Sequence, residues 1–214
     1  MKLIAERVCK SIRGKQILSN IDLQLESGLV YGFVGRNGCG KTMLFRALSG
    51  LMRLDSGTVS LDDQVLHRDF DVLPSLGIVL ENAGLYPEYT GYTNLELLAR
   101  LKGLIGRKEI EDAICRVGLD PSDRRPYRKY SLGMKQRIVI AQAIMEHPDV
   151  IMLDEPTNAL DGSGVCQIRQ IILEEKARGA LVLLASHNNE DIHLLADQVF
   201  SIENGHLAEG SAGA

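Results

Sequence analysis

Eight consecutive residues fit G-x-x-x-x-G-K-[ST], a pattern typical of loops that bind nucleotide phosphates. They are Gly35-Arg36-Asn37-Gly38-Cys39-Gly40-Lys41-Thr42. Glycines let the backbone approach a phosphate closely and turn its N–H groups into an anion-binding nest. The lysine would reach the β- and γ-phosphates, and the threonine hydroxyl would bind Mg²⁺. The alternative is a glycine-rich turn that binds nothing.

The residues on either side supply the strand and the helix that such a loop needs. Before it, the apolar run 29–34 predicts a buried strand. After it, Leu44, Phe45 and Leu48 share one helical face and Gly50 is a stop signal. The N-terminus of that helix would direct a partial positive charge at the phosphates. This context favours the phosphate-binding interpretation.

A second apolar strand ends in two carboxylates. Residues 150–153 predict a central parallel strand, and Asp154 and Glu155 follow it. Ligands of open α/β sheets bind at the carboxyl ends of strands. Asp154 could therefore hold Mg²⁺, and Glu155 could polarise a water for attack on a γ-phosphate. A solvated turn without function is the alternative, and the phosphate loop argues against it.

The composition is that of an ordinary globular protein. The chain has 214 residues, 45% hydrophobic and 24% charged, with a net charge of −4, which does not favour nucleic-acid binding. Four scattered cysteines fit reduced thiols in the cytoplasm. No signal peptide and no apolar stretch of about 20 residues is evident. A role in a membrane process would require docking on another chain.

Short strands and then helices are predicted along the chain. Strands at 3–8, 17–25, 58–61 and 64–66 flank the phosphate loop and its helix. From Glu81 to His147 the pattern becomes helical.

Three cap signals accompany the predicted helices. Thr93 and Glu96 fit a capping box, with Thr93 as the N-cap of the first inserted helix. Ser131 begins a later helix, and Asp161 can cap the helix that follows the Asp-Glu strand.

Three further motifs carry a family resemblance. Residues 130–137, Tyr-Ser-Leu-Gly-Met-Lys-Gln-Arg, resemble the signature of ABC ATPases, usually L-S-G-G-Q. Residues 158–161 resemble the D-loop, and Ser186-His187 resembles the H-loop. With the phosphate loop (Walker A) and the Asp-Glu strand (Walker B), the order matches the family. The chain resembles an ABC transporter ATP-binding subunit over essentially its whole length.

The resemblance implies an α/β fold, a P-loop NTPase with a RecA-like core, an antiparallel β subdomain and an inserted helical signature subdomain. We expect a single ABC ATPase domain over 1–214. The expected core with its antiparallel β subdomain comprises 1–80 and 148–214. The expected helical subdomain comprises 81–147.

The resemblance also implies ATP and Mg²⁺ as ligands and assigns residues to them. Lys41, Glu155 and His187 would be catalytic, with His187 touching the γ-phosphate and holding the attacking water. Thr42, Glu81 and Asp154 would hold the metal ion. The expected ATP-binding residues are Ile12, Gly35, Arg36, Asn37, Gly38, Cys39, Gly40, Lys41, Thr42 and Met43.

A head-to-tail dimer that sandwiches two ATP molecules is a further implication. Ser131, Gly133 and Met134 would contact the ATP held by the other protomer, and Asp161 would belong to the D-loop. A serine at a helix N-terminus followed by glycine is a good anion site. Outside this context, Ser131 would equally be an ordinary N-cap.

Three positions depart from the family pattern. Glu81 stands where a glutamine is usual; a carboxylate can ligate Mg²⁺ but, when ionised, cannot donate a hydrogen bond. Ile12 replaces an adenine-stacking aromatic, which removes about 1 kcal/mol of stacking. Leu132 replaces a signature glycine. The run 81–92 resembles ATPases of bacitracin-resistance and lantibiotic-immunity exporters, where this glutamate recurs; neutral drift is the alternative.

The sequence therefore favours a homodimeric ATPase subunit that powers a separate membrane permease. The expected cargo is an antimicrobial peptide or drug, exported from the cell. The subunit would lie in the cytoplasm, peripheral to the inner face of the membrane, with 82–100 as the docking surface and no nucleic-acid partner. The alternatives are an importer ATPase, a non-transport ABC-type ATPase and a regulator that hydrolyses ATP poorly.

Overall fold

The computed structural model describes residues 1–80 and 84–208. In this part of the chain ten strands form two sheets, and six α-helices accompany them. The strands are β1 Lys2–Ile12, β2 Lys15–Glu26, β3 Val30–Val34, β4 Ser56–Leu61, β5 Gln64–Val65, β6 Leu76–Val79, β7 Val150–Asp154, β8 Leu181–Ala185, β9 Gln198–Glu203 and β10 His206–Leu207. The helices are α1 Lys41–Ser49, α2 Gly91–Lys102, α3 Arg107–Arg116, α4 Leu132–Ile144, α5 Gly162–Ala177 and α6 Asn189–Leu195, with a 3-10 helix at Tyr127–Lys129.

A mostly parallel sheet of six strands forms the centre, in the order β10-β9-β3-β8-β7-β6. The strand β3 pairs in parallel with β8 and β9, and β7 pairs in parallel with β8 and β6. Every residue of β7 and β8 is buried, as both faces of a central parallel strand must be. The strands predicted at 29–34 and 150–153 are confirmed as β3 and β7, and β3, β7 and β8 end at one edge.

The second sheet is antiparallel, in the order β2-β1-β4-β5. Its strands β1 and β2 form a hairpin through Arg13 and Gly14, whose φ angles are +49° and +78°. Both strands extend beyond the predicted 3–8 and 17–25. Residues 9–12 show no clear alternation of apolar and polar side chains, but pairing along β2 keeps them extended.

Two apolar clusters fill the interior on either side of the central sheet. Ile151 and Leu153 of β7 belong to the cluster that contains the buried faces of α2, α3, α4 and α5. Val150 and Met152 belong to the other cluster, with α1 and the antiparallel sheet. Successive side chains of a strand point to opposite faces, so one strand connects both clusters.

The predicted capping box at Thr93 and Glu96 is wrong. Thr90 is the N-cap of α2, and its hydroxyl accepts a hydrogen bond from the Thr93 amide at 3.1 Å. Glu96 pairs instead with Arg100 at 3.0 Å. The buried Asn94 side chain donates to the carbonyl of Thr90 and bonds to the backbone of residue 86, so contacts outside the local motif fix the helix start.

The other two predicted caps are confirmed. The Ser131 hydroxyl accepts from the Met134 amide at 3.2 Å at the start of α4. An Asp161 carboxylate oxygen accepts from the Gly164 amide at 3.0 Å at the start of α5.

A buried ionic network links α5, α6 and the turn after β7. Asp191 has no exposed surface and lies 2.6 Å from the Arg169 guanidinium. Its other oxygen accepts a hydrogen bond from the Thr157 hydroxyl at 2.5 Å. Arg169 also pairs with the exposed Glu190 at 2.9 Å, and this hydrogen bond raises the pKa of the guanidinium above its ordinary value.

We predict that Asp191→Asn lowers the free energy of unfolding by about 3 kcal/mol, because Arg169 would lose its buried partner. The matched change Glu190→Gln, at a side chain that is 67% exposed, should cost less than about 1 kcal/mol. Urea unfolding followed by circular dichroism measures both values. Equal losses in the two variants would contradict the importance of the buried pair.

Candidate active site

A cleft of about 410 Å³ lies where β3, β7 and β8 end. Nine residues predicted from the sequence line it: Asn37, Gly38, Gly40, Lys41, Thr42, Met43, Asp154, Glu155 and His187. Ile17 and Asn158 line it as well. The parallel topology is the cause, because the segments after three neighbouring strands meet at one edge.

Backbone geometry explains the glycines of the phosphate loop. Gly35, Gly38 and Gly40 have φ angles of +148°, +79° and +119°, a region that favours glycine. A Cβ at Gly35 would lie 2.4 Å from the carbonyl oxygen of Ile202. The loop therefore needs glycine for its conformation and, at Gly35, for space.

Lys41 begins α1 and is only 6% exposed. Its ammonium donates to the Gly35 carbonyl at 2.7 Å and reaches the Arg36 carbonyl at 3.4 Å. The loop thus wraps around the lysine and places positive charge at the helix N-terminus, which suits a phosphate ligand.

Three predicted ATP-binding residues line a different cavity. Gly35, Arg36 and Cys39 line a cavity of about 340 Å³ with residues 202–204. The Cys39 side chain is buried in the apolar cluster beneath the loop. These residues shape the loop, but their side chains do not line the cleft.

Ile12 is also outside the cleft lining. It ends β1, pairs with Lys15 and is 40% exposed. Ile17 of β2 lines the cleft instead. The position of the β1–β2 hairpin decides which isoleucine faces the cleft. The Ser19 amide donates to the carbonyl of Gly205, in the turn between β9 and β10, at 2.8 Å. A Cβ at Gly40 of the phosphate loop would lie 3.1 Å from the Ile17 carbonyl oxygen. No local sequence signal distinguishes the two isoleucines.

Thr42 and Asp154 form an oxygen pair that fits Mg²⁺. The Thr42 hydroxyl donates to an Asp154 carboxylate oxygen, and Asp154 is 6% exposed. Mg²⁺ prefers oxygen ligands and is often bound by one or two carboxylates together with phosphates. Glu81, the third predicted ligand, lies outside the described residues.

Within residues 1–80 and 84–208, no group of three or more His, Cys, Asp or Glu residues could hold a metal ion. Of the three predicted metal ligands, the described residues include Thr42 and Asp154, which lie together.

Glu155 and His187 are in direct contact. A Glu155 carboxylate oxygen lies 2.7 Å from His187 Nδ1 and accepts from the His187 amide at 3.3 Å. Glu155 has a φ of +51°, unusual for a residue with a Cβ, and its amide donates to the Ala185 carbonyl at 2.8 Å. A carboxylate and an imidazole placed together can orient a water and accept its proton.

The predicted signature residues lie away from this cleft. Ser131 is exposed at the start of α4, and Gly133 and Met134 occupy the first turn of that helix. None of the three lines the described cleft. Their position fits the expectation that they act on a nucleotide held by another chain.

Asp161 contacts residues of its own chain. It caps α5 and forms an ion pair with Arg137 at 3.2 Å. Hydrogen bonds from the Gly164 amide and the Ser163 hydroxyl lower the pKa of Asp161. The carboxylate stays ionised and holds the D-loop turn against α5.

Solved structures of other proteins share this fold. A structure entitled "Dimeric Structure of MJ0796, a Bacterial ABC Transporter Cassette" matches with a TM-score of 0.87 and 21% identity over 97% of each chain. A post-hydrolysis state of the same cassette, bound to ADP and Pi, matches equally well. No helix in the described part of the chain is long and apolar enough to cross a membrane.

Sequence comparison identifies the family. The ABC transporter family model matches residues 18–158. The ABC transporter ATP-binding protein YybJ of Bacillus subtilis is 44% identical over 92% of this chain and 91% of its own length. The bacitracin transport ATP-binding protein BcrA of Enterococcus faecalis is 36% identical over 95% and 67%. The lantibiotic transport ATP-binding protein SrtF of Streptococcus pyogenes is 33% identical over 92% and 85%. The chain therefore belongs to the ABC transporter family, as an ATP-binding subunit that hydrolyses ATP.

Proposed function

We propose that this ATPase powers the export of antimicrobial peptides or drugs through a separate membrane permease. The observation that carries the chemistry is the meeting of Lys41, Thr42, Asp154, Glu155 and His187 in one cleft. The similarity to a bacitracin and a lantibiotic transport protein supports the cargo class. An importer or a non-transport ATPase would share the cleft and differ in its partner.

We assign each residue of the cleft a separate role in ATP hydrolysis. Lys41 and the loop amides hold the phosphates, while Thr42 and Asp154 hold Mg²⁺, which supplies positive charge to the phosphate oxygens. Glu155 accepts a proton from the attacking water. His187 fixes the carboxylate through its 2.7 Å contact and holds the water in place.

Two copies of the chain complete each site in a head-to-tail homodimer. Ser131, Gly133 and Met134 contact the ATP of the other copy, supported by the exposed N-terminus of α4. Leu132 between them is 70% exposed, which fits a surface covered by a second copy.

The permease docks on the surface formed by the start and the outer face of α2. Tyr86 and Leu101 are 62% and 82% exposed there, and Tyr89 and Leu104 are exposed as well. Exposed apolar clusters mark interaction sites. Binding of a permease to this surface would hold the subunit at the inner face of the membrane. Residues 82 and 83 of the predicted docking surface lie outside the described part.

We predict that Glu155→Gln lowers kcat for ATP at least about 100-fold, because an amide cannot accept the proton. ATP affinity should stay within about twofold, since the change leaves the phosphate loop intact. Steady-state phosphate release and nucleotide titration measure the two quantities. Glu174→Gln on the exposed side of α5 is the matched control, and unchanged turnover in Glu155→Gln would refute the role of Glu155.

Ser131→Arg should leave ATP binding by the monomer intact but abolish ATP-driven dimerisation, because a bulky cation would replace the contact with the second copy's nucleotide. Light scattering after size exclusion, in a Glu155→Gln background that retains ATP, measures the dimer. Ser122→Arg, at another exposed position, should dimerise normally. Dimerisation of the Ser131 variant at the normal ATP concentration would exclude the shared site.

Leu101→Glu should abolish co-purification of a multi-span membrane protein in mild detergent while leaving the basal ATPase rate unchanged. A charge would be unfavourable against an apolar partner surface. Leu194→Glu, at an exposed leucine of α6, serves as the control. Retention of the membrane partner by Leu101→Glu would place the docking surface elsewhere. A partner with an associated solute-binding protein would favour import.

A further inference from the structure

Gln136 connects the signature helix to the backbone beside the catalytic glutamate. It lies in the second turn of α4, and its Nε2 donates to the Pro156 carbonyl at 3.2 Å. The same nitrogen lies 3.5 Å from the Glu155 carbonyl, a longer and weaker contact. One side chain thus contacts both peptide units that follow β7.

The turn that Gln136 contacts has an unusual backbone. Glu155 and Ala159 have φ angles of +51° and +64°, although each carries a Cβ. Such conformations cost energy and persist where the surroundings hold them. Because the Glu155 carboxylate direction depends on this backbone, a group that fixes the turn also fixes the carboxylate.

Two further contacts join α4 to the same turn. Gly133 packs so closely that a Cβ there would lie 3.0 Å from the Ala159 carbonyl oxygen. Arg137 pairs with Asp161 at 3.2 Å. Gly133, Gln136 and Arg137 therefore hold the turn 155–161 along its length, with Gln136 at the end nearest to Glu155.

Close packing does not by itself hold Gln136 in place. A cavity of about 270 Å³ is lined by Gln136, Asp154 and Glu155, among others. This space would allow another rotamer, so the hydrogen bonds specify the observed one. Nothing in the chemistry assigned to the cleft uses this amide directly.

We propose that Gln136 is a positioning residue for ATP hydrolysis. Its amide holds the Glu155 and Pro156 peptide units so that the Glu155 carboxylate meets His187. The proposal rests on the proposed role of Glu155. Because Ser131 caps the same helix, a shift of α4 at the dimer interface would reach the catalytic carboxylate of its own chain through Gln136.

The test replaces Gln136 by Met, which has similar length and helix propensity but no N–H donor. The matched control is Gln142→Met on the same helix, where the side chain faces the groove beside Gly77. Steady-state kinetics with Mg²⁺ and ATP give kcat and KM, and urea unfolding gives stability. Gln136→Asn, which keeps the amide but shortens its reach, is a second variant should the methionine variant fold poorly.

Gln136→Met should lower kcat roughly tenfold with KM changed by less than about twofold, as loss of one positioning hydrogen bond predicts. Its stability should match that of Gln142→Met, which should retain the wild-type kcat. In a Glu155→Gln background, Gln136→Met should cause no further slowing in single-turnover assays, because the two residues would act as one unit.

Two results would overturn the inference. One is a kcat for Gln136→Met equal to that of the Gln142 control. The other is the same tenfold slowing in the Glu155→Gln background, which would show an effect independent of Glu155. Normal turnover in Glu155→Gln itself would instead remove the proposed function of Glu155, and the inference with it.

Discussion

The arrangement of the site depends on how the phosphate loop confines Lys41. A buried ammonium is unfavourable unless polar groups surround it. Here the carbonyls of Gly35 and Arg36 meet the ammonium, which the loop can provide because glycine permits its positive φ angles. The loop therefore places the ammonium at the N-terminus of α1, where the first backbone N–H groups have no partner within the helix. A phosphate group is a ligand whose charge suits this arrangement.

Topology then determines which groups face that charge. The strand β8 lies between β3 and β7 and is parallel to both, so the residues after all three strands share one edge of the sheet. Asp154 reaches Thr42 of the loop, and Glu155 reaches His187. Contacts with α4 and with the buried Asp191 network hold the turn after β7 in place. The position of Glu155, the proposed catalytic carboxylate, thus depends on contacts between residues that are distant in sequence.

The difference between local and non-local contacts explains what the sequence could predict. The buried strands and the caps at Ser131 and Asp161 are specified by adjacent residues, and the structure confirms them. The cap at Thr93 was wrong because Asn94 bonds to backbone before the helix. Gln136 was missed because its partners lie about twenty residues away along the chain, so no local pattern marks it.

Ser131 shows that a capping role and a ligand-binding role are compatible. A hydroxyl has one donor and two acceptor lone pairs. The cap uses one lone pair, through the bond from the Met134 amide. The proton stays available for a phosphate oxygen, and the side chain is exposed at the positive end of α4. The cap also fixes the hydroxyl's position before any ligand arrives, which reduces the entropy lost on binding. The ordinary helix cap would therefore prepare this serine for the proposed contact with a nucleotide held by a second copy.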